Sequence, residues 1–81
     1  MILVDLYVPM LDRVYDFELD EETQTERLTE DMLVLIMEQE QLTCKNRKDM
    51  RLYAQGCETM LEPEKTLKEQ GVCAGERLIL I

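Results

Sequence analysis

From Ile2 to Val8 the apolar residues take every second position. Ile2, Val4, Leu6 and Val8 fall on one side, and Leu3, Asp5 and Tyr7 on the other. A period of two is that of a strand, whose successive side chains point to opposite faces. Pro9 closes it, because proline has no N–H to give a ladder, and Leu11-Asp12-Arg13 turns the chain. Alternation resumes over residues 14–20, with Tyr15, Phe17 and Leu19 opposed to Asp16, Glu18 and Asp20. Two strands joined by a short turn predict a hairpin. The period then changes. Thr23 and Glu26 have the spacing of a capping box, and Leu28, Met32, Leu35, Ile36 and Leu42 (with Gln39 among them) gather on one helical face. That pattern predicts an amphipathic helix of about four turns. Leu33, Val34 and Met37 are apolar but off this stripe, which makes them a candidate second interface.

Beyond the helix, residues 43–48 are polar and read as a loop. Met50, Leu52 and Ala54 alternate with Arg51 and Tyr53 in a third strand, and Gln55-Gly56 turns the chain into a short fourth strand within residues 57–61. Pro63 marks another turn, residues 65–71 a brief helical turn ended by glycine, and Leu78-Ile79-Leu80-Ile81 a last strand. A strand with no polar alternation belongs in the middle of a sheet. The expected class is α+β: a mixed sheet of four or five strands with one helix across it. The two most apolar strands, first and last, lie side by side and parallel, giving the order 2-1-5-3-4. Residues 1–81 read as one domain, without repeats or linker.

Composition narrows what such a fold can do. The chain has no His, Ser or Trp, which excludes a Ser-His-Asp triad, a Cys-His dyad and a histidine metal site. Catalysis would rest on carboxylates such as Asp16 with Glu18 or Asp20 with Glu22, and acids on a strand face or in a turn lack the desolvated cleft that acid–base chemistry needs. The reading is therefore not an enzyme, and no cofactor is implied. Eighteen acidic residues stand against nine basic ones, a net charge of −9, so nucleic acid and anionic lipid are repelled. Ten of the acids lie between Asp16 and Glu40 with Arg27 as the one base among them, whereas Lys45, Arg47, Lys48 and Arg51 cluster after the helix. The longest apolar run, residues 32–37, is far short of the roughly 20 residues of a membrane span. No signal peptide is read, and a cytoplasmic protein is expected. Cys44, Cys57 and Cys73 contain no CxxC spacing and are read as three unreactive reduced thiols.

The last third of the chain carries a resemblance. Lys65-Thr66-Leu67-Lys68-Glu69-Gln70-Gly71-Val72, followed by Gly75-Glu76-Arg77-Leu78-Ile79-Leu80, is similar to the ubiquitin-like β-grasp pattern of Thr-Leu, a glycine before an apolar residue, a Gly-acidic turn and Leu-x-Leu. Ubiquitin and the related sulfur carriers act through a Gly-Gly tail, which a chain ending Leu80-Ile81 does not have. Modifier and sulfur-carrier roles are accordingly the disfavoured alternative. With Tyr15-Asp16-Phe17 in the second strand and the long helix after it, the chain more closely resembles the YukD (EsaB) family, associated with type VII (WXG100) secretion in Gram-positive bacteria. That resemblance implies an accessory or regulatory role exercised through protein contacts.

Strand parity then proposes a surface. Leu3, Tyr53, Ile79 and Ile81, with Arg51 at the rim, face away from the helix and are expected to sit together as a protein-binding patch. Ubiquitin-like proteins commonly bind through this face, and Tyr53 and Ile79 occupy positions matching ubiquitin's patch. Ile79 stands where ubiquitin has a polar residue. The same apolar surfaces also suit a homodimer, the alternative occupant.

Overall fold

The computed structural model describes residues 1–42 and 50–81. The loop expected at 43–48, Cys44 and most of the basic cluster lie outside the described residues. Strand β1 (Ile2–Val8) turns through Pro9 to Asp12 into β2 (Arg13–Leu19), and α1 (Thr25–Glu40) follows. Among the described residues three more strands follow: β3 (Leu52–Ala54), β4 (Thr59–Met60) and β5 (Arg77–Leu80). They form one sheet in the order β2-β1-β5-β3-β4, with β1 and β5 parallel and the other neighbours antiparallel. The expected topology is the observed one. The apolar face of β5 explains its place: Leu78 and Leu80 are buried between Leu6 on one side and Leu52 and Ala54 on the other.

The even-numbered residues of β1 and β5 meet α1. Val4, Leu6, Val8, Leu52, Leu78 and Leu80 join Leu28, Met32, Leu33 and Ile36 in one core, closed at its ends by Leu61, Leu67 and Val72. The buried stripe of α1 is Thr25, Leu28, Thr29, Met32, Leu33 and Ile36, an i, i+3, i+4, i+7, i+8, i+11 set. It is rotated from the stripe expected. Leu35 is 54% exposed and Leu42 lies past the helix end, while Leu33 is only 4% exposed. Two threonines lie in the buried stripe. Thr29 is buried because its hydroxyl donates to the Thr25 carbonyl at 2.8 Å, and Thr25 is buried because its hydroxyl donates to the Lys65 carbonyl at 2.7 Å. A threonine with its donor satisfied packs like a valine.

The start of α1 also differs from the expected capping box. Thr23 donates to the Asp20 carboxylate, not to the helix, and the cap position is Gln24, whose side chain makes no capping bond. Instead the Thr25 and Glu26 N–H groups donate to the Lys65 and Pro63 carbonyls at 2.9 and 3.0 Å. The loop after β4 thus supplies acceptors that free helix N-terminal donors require. Gln70 fastens that loop: its Oε1 accepts the Glu62 N–H at 2.6 Å and its Nε2 donates to Thr25 Oγ1 at 3.0 Å. The reciprocal Thr–Glu pair of a capping box does occur, at Thr66 and Glu69, where each side chain accepts the other's backbone N–H. Residues 67–71 there form successive hydrogen-bonded turns and no helix, and Gly71 ends them at φ +77°, a conformation glycine adopts without strain.

Candidate functional site

One face of the sheet is covered by α1, and the other is where the candidate residues point. Register decides which of them meet. Tyr7 of β1 pairs with Val14 of β2 and with Ile79 of β5. Ile79 pairs in turn with Tyr53 of β3, and Tyr53 with Met60 of β4. Val14, Tyr7, Ile79, Tyr53 and Met60 therefore form a single apolar and aromatic row across all five strands. Directly paired residues share a face and touch. Val14 and Met60, at the two ends, are exposed, and the three between are half-buried. Beyond this row, Ile81 and Arg51 exchange backbone hydrogen bonds at 2.8 and 2.9 Å. Both are exposed, and the Arg51 guanidinium donates to the Leu61 carbonyl at 3.1 Å.

Leu3 does not join them. It lies opposite Glu18, and its carbonyl accepts the Gly75 N–H at 2.8 Å. The next row, Asp16, Asp5 and Arg77, separates it from Ile79. Four residues along β1 part Leu3 from Tyr7, roughly 13 Å at about 3.3 Å per residue. Parity placed Leu3 on the correct face, but only the parallel β1–β5 offset fixes which outward residues become neighbours. Tyr7, Val14 and Met60 take the places that parity alone could not assign.

The second candidate interface is corrected more fully. Leu33 belongs to the core and Met37 packs against it, so of Leu33, Val34 and Met37 only Val34 is exposed. The three form no outward surface, because the buried stripe runs through Leu33.

Charge around the sheet face is organised by pairing. Asp5 and Asp16 are directly opposed. Hydrogen bonding to Asp5, then its charge, then slight desolvation push the Asp16 carboxyl above its ordinary range. Next to Asp16 on β2, Tyr15 donates to Glu40 Oε1 at 2.9 Å and Arg13 lies 3.7 Å from the same oxygen, joining β2 to the end of α1. The Tyr15 hydroxyl is raised by desolvation and by Glu40. Asp20 takes the Glu22 N–H and the Thr23 hydroxyl, which hold its carboxyl below the usual range. Asp16, Glu18, Asp20 and Glu22 are all exposed. They line no enclosed site of paired carboxylates.

Glu76, directly before β5, is a clamp that sequence reading passed over. Its carboxylate accepts the Gly56 and Cys57 N–H groups at 3.1 and 3.2 Å, and the Arg77 N–H at 3.2 Å. It thereby ties the β3–β4 turn to the start of β5. The carboxylate approaches Gly56 so closely that a Cβ there would overlap it. Cys57 and Cys73, both exposed, converge beside this clamp on one acceptor, the Gly71 carbonyl. Desolvation, Glu76 and finally Cys73 push the Cys57 thiol up. Among the described residues no group of three or more Cys, Asp and Glu is placed to hold a metal ion, and no helix is long and apolar enough to cross a membrane.

The family model for protein YukD of the WXG100 protein secretion system (Wss) matches residues 3–80. The chain belongs to the YukD family. Among solved structures, this YukD-family chain is similar to the EccD5 ubiquitin-like domain from Mycobacterium xenopi, with TM-score 0.76 and 21% identity over 99% of this chain and 91% of that one. It is similar also to the ubiquitin-like domain of an Arabidopsis thaliana protein, at TM-score 0.73 and 18% identity over 99% of this chain and 74% of that one. A computationally designed protein built on the template of human erythrocytic ubiquitin has TM-score 0.70 and 22% identity, covering 100% of this chain and 90% of that one. At these identities the likeness is one of fold, and the fold is ubiquitin-like. A search of curated proteins finds no match. The family that Tyr15-Asp16-Phe17, the long helix and the ending at residues 71–80 resemble is the family found.

Proposed function

We propose that this YukD-family chain is a non-catalytic protein-interaction module, a cytosolic accessory or regulatory factor of a WXG100 (type VII) secretion system. Residues 1–81 act as one ubiquitin-like domain in this reading. The observation that carries it is the row Val14, Tyr7, Ile79, Tyr53 and Met60, with Ile81 alongside, left open on the sheet face opposite the helix. A sheet face bearing a contiguous apolar strip in place of polar residues marks a docking surface. Tyr53 and Ile79 at its centre are the expected anchors, Ile81 and Arg51 the flank. Leu3 makes at most a separate, peripheral contact. A central tyrosine among aliphatics typically costs about 2 kcal/mol or more of binding when truncated. The net charge of −9 argues against nucleic acid as the partner.

Affinity capture from the native organism, read by mass spectrometry, tests the assignment. Recovery of a component of the secretion machinery supports it. Recovery of an adenylating enzyme instead favours a modifier or sulfur-carrier role. Light scattering separates a monomeric module from a self-associating one, since a homodimer through the same row has twice the 9.6 kDa chain mass.

A further inference from the structure

Cys57 in the β3–β4 turn and Cys73 in the segment before β5 are sixteen residues apart in sequence and share one acceptor. The Cys57 Sγ lies 3.8 Å and the Cys73 Sγ 3.7 Å from the Gly71 carbonyl oxygen. Sharing that one oxygen places the two sulfurs no more than about 7.5 Å apart. Both thiols are exposed, so a small oxidant reaches them. Each side chain pivots about its own Cα–Cβ bond, and a disulfide needs sulfurs brought to about 2.05 Å with the Cα atoms about 4.4–6.8 Å apart. Cys57 lies in a turn and Cys73 outside any strand, so neither takes part in a strand ladder.

We infer that Cys57 and Cys73 are a redox-sensitive pair that closes into a reversible intramolecular disulfide, stapling the β3–β4 turn to the lead-in of β5. The oxidant is a low-molecular-weight disulfide. One cysteine thiolate attacks it, forming a mixed disulfide and releasing one small thiol. The second cysteine's thiolate then attacks the protein-side sulfur and expels the other small thiol. The protein gives up two protons and two electrons, and the small disulfide leaves as two thiols. The staple runs parallel to the contacts already made there by Glu76. Cross-linking a loop of this size is expected to raise Tm by on the order of 10 °C.

The test uses the full chain and a Cys44→Ser variant, which removes the third thiol. Each is equilibrated with oxidised glutathione, alkylated and digested with trypsin, which cuts after Arg51, Lys65, Lys68 and Arg77 and so separates the two cysteines onto peptides 52–65 and 69–77. The expected product is the pair of peptides joined, two hydrogens lighter than their sum, from protein that migrates as a monomer without reductant. Its Tm is expected to rise and to return on reduction. Glutathione on each cysteine separately with no joined peptide overturns the inference. So does a 57–73 link found only between two chains, or a joined product with no rise in Tm.

Discussion

Asp5 and Asp16 face each other across the first strand pair with like charge, and Arg77 flanks Asp5 alone. Like charges directly opposed weaken a strand pair. The folded chain holds the Asp16 proton more tightly than the unfolded chain does, because the folded value lies above the ordinary 3.8. Below 3.8 both states are protonated and the repulsion is absent; it develops as pH rises through the folded value and is complete at neutrality. Asp16→Asn is therefore expected to melt higher than the parent near pH 7, with the difference gone at about pH 3. Melts at the two pH values decide it, and an unchanged melting point near pH 7 contradicts the pairing. Gly56 poses the opposite problem, since the space a Cβ needs is filled by the Glu76 carboxylate. Gly56→Ala displaces that carboxylate from the two turn N–H groups it accepts, and is expected to lower stability by about 1–2 kcal/mol in denaturant titration. The Gly75-Glu76 turn is visible in the sequence, but what Glu76 holds is not, because its partners Gly56 and Cys57 lie in another strand's turn.

At the scale of elements, α1 tests whether burial follows the buried threonines. Leu33→Ala is expected to cost about 2–5 kcal/mol, as for a leucine removed from a packed core, and Leu35→Ala less than about 0.5 kcal/mol, as for a surface site. Equal losses at the two positions would contradict the observed rotation of the helix. The strands were legible because alternation is a local signal: Ile2, Val4, Leu6 and Val8 declare the core face without reference to anything distant. The helix face was less so. Residues 32–37 are apolar all round, and only the hydrogen bonds of Thr25 and Thr29 disclose which side is inward. Its capping signal misled for a similar reason, since Thr23 serves Asp20 and the helix donors are met by carbonyls some forty residues away.

Across the whole molecule, the parallel alignment of β1 with β5 turns single outward residues into a surface. Parity identified Tyr53, Ile79 and Ile81 from the sequence; the register added Tyr7, Val14 and Met60 and set Leu3 apart behind the Asp5–Arg77 row. Register depends on where Gly75 meets the Leu3 carbonyl, a long-range fact with no local signature. The resulting row crosses every strand of the ubiquitin-like sheet on the side that α1 leaves open, and it is the surface proposed to hold the partner. The direct test titrates a partner captured by the parent chain against a Tyr53→Ala, Ile79→Asp double variant, with Leu35→Asp as a control on the exposed side of α1 and folding of each checked by circular dichroism. The predicted result is affinity lost by at least about thirtyfold in the double variant, the equivalent of about 2 kcal/mol, and unchanged in the control. A folded double variant that binds as tightly as the parent would contradict it.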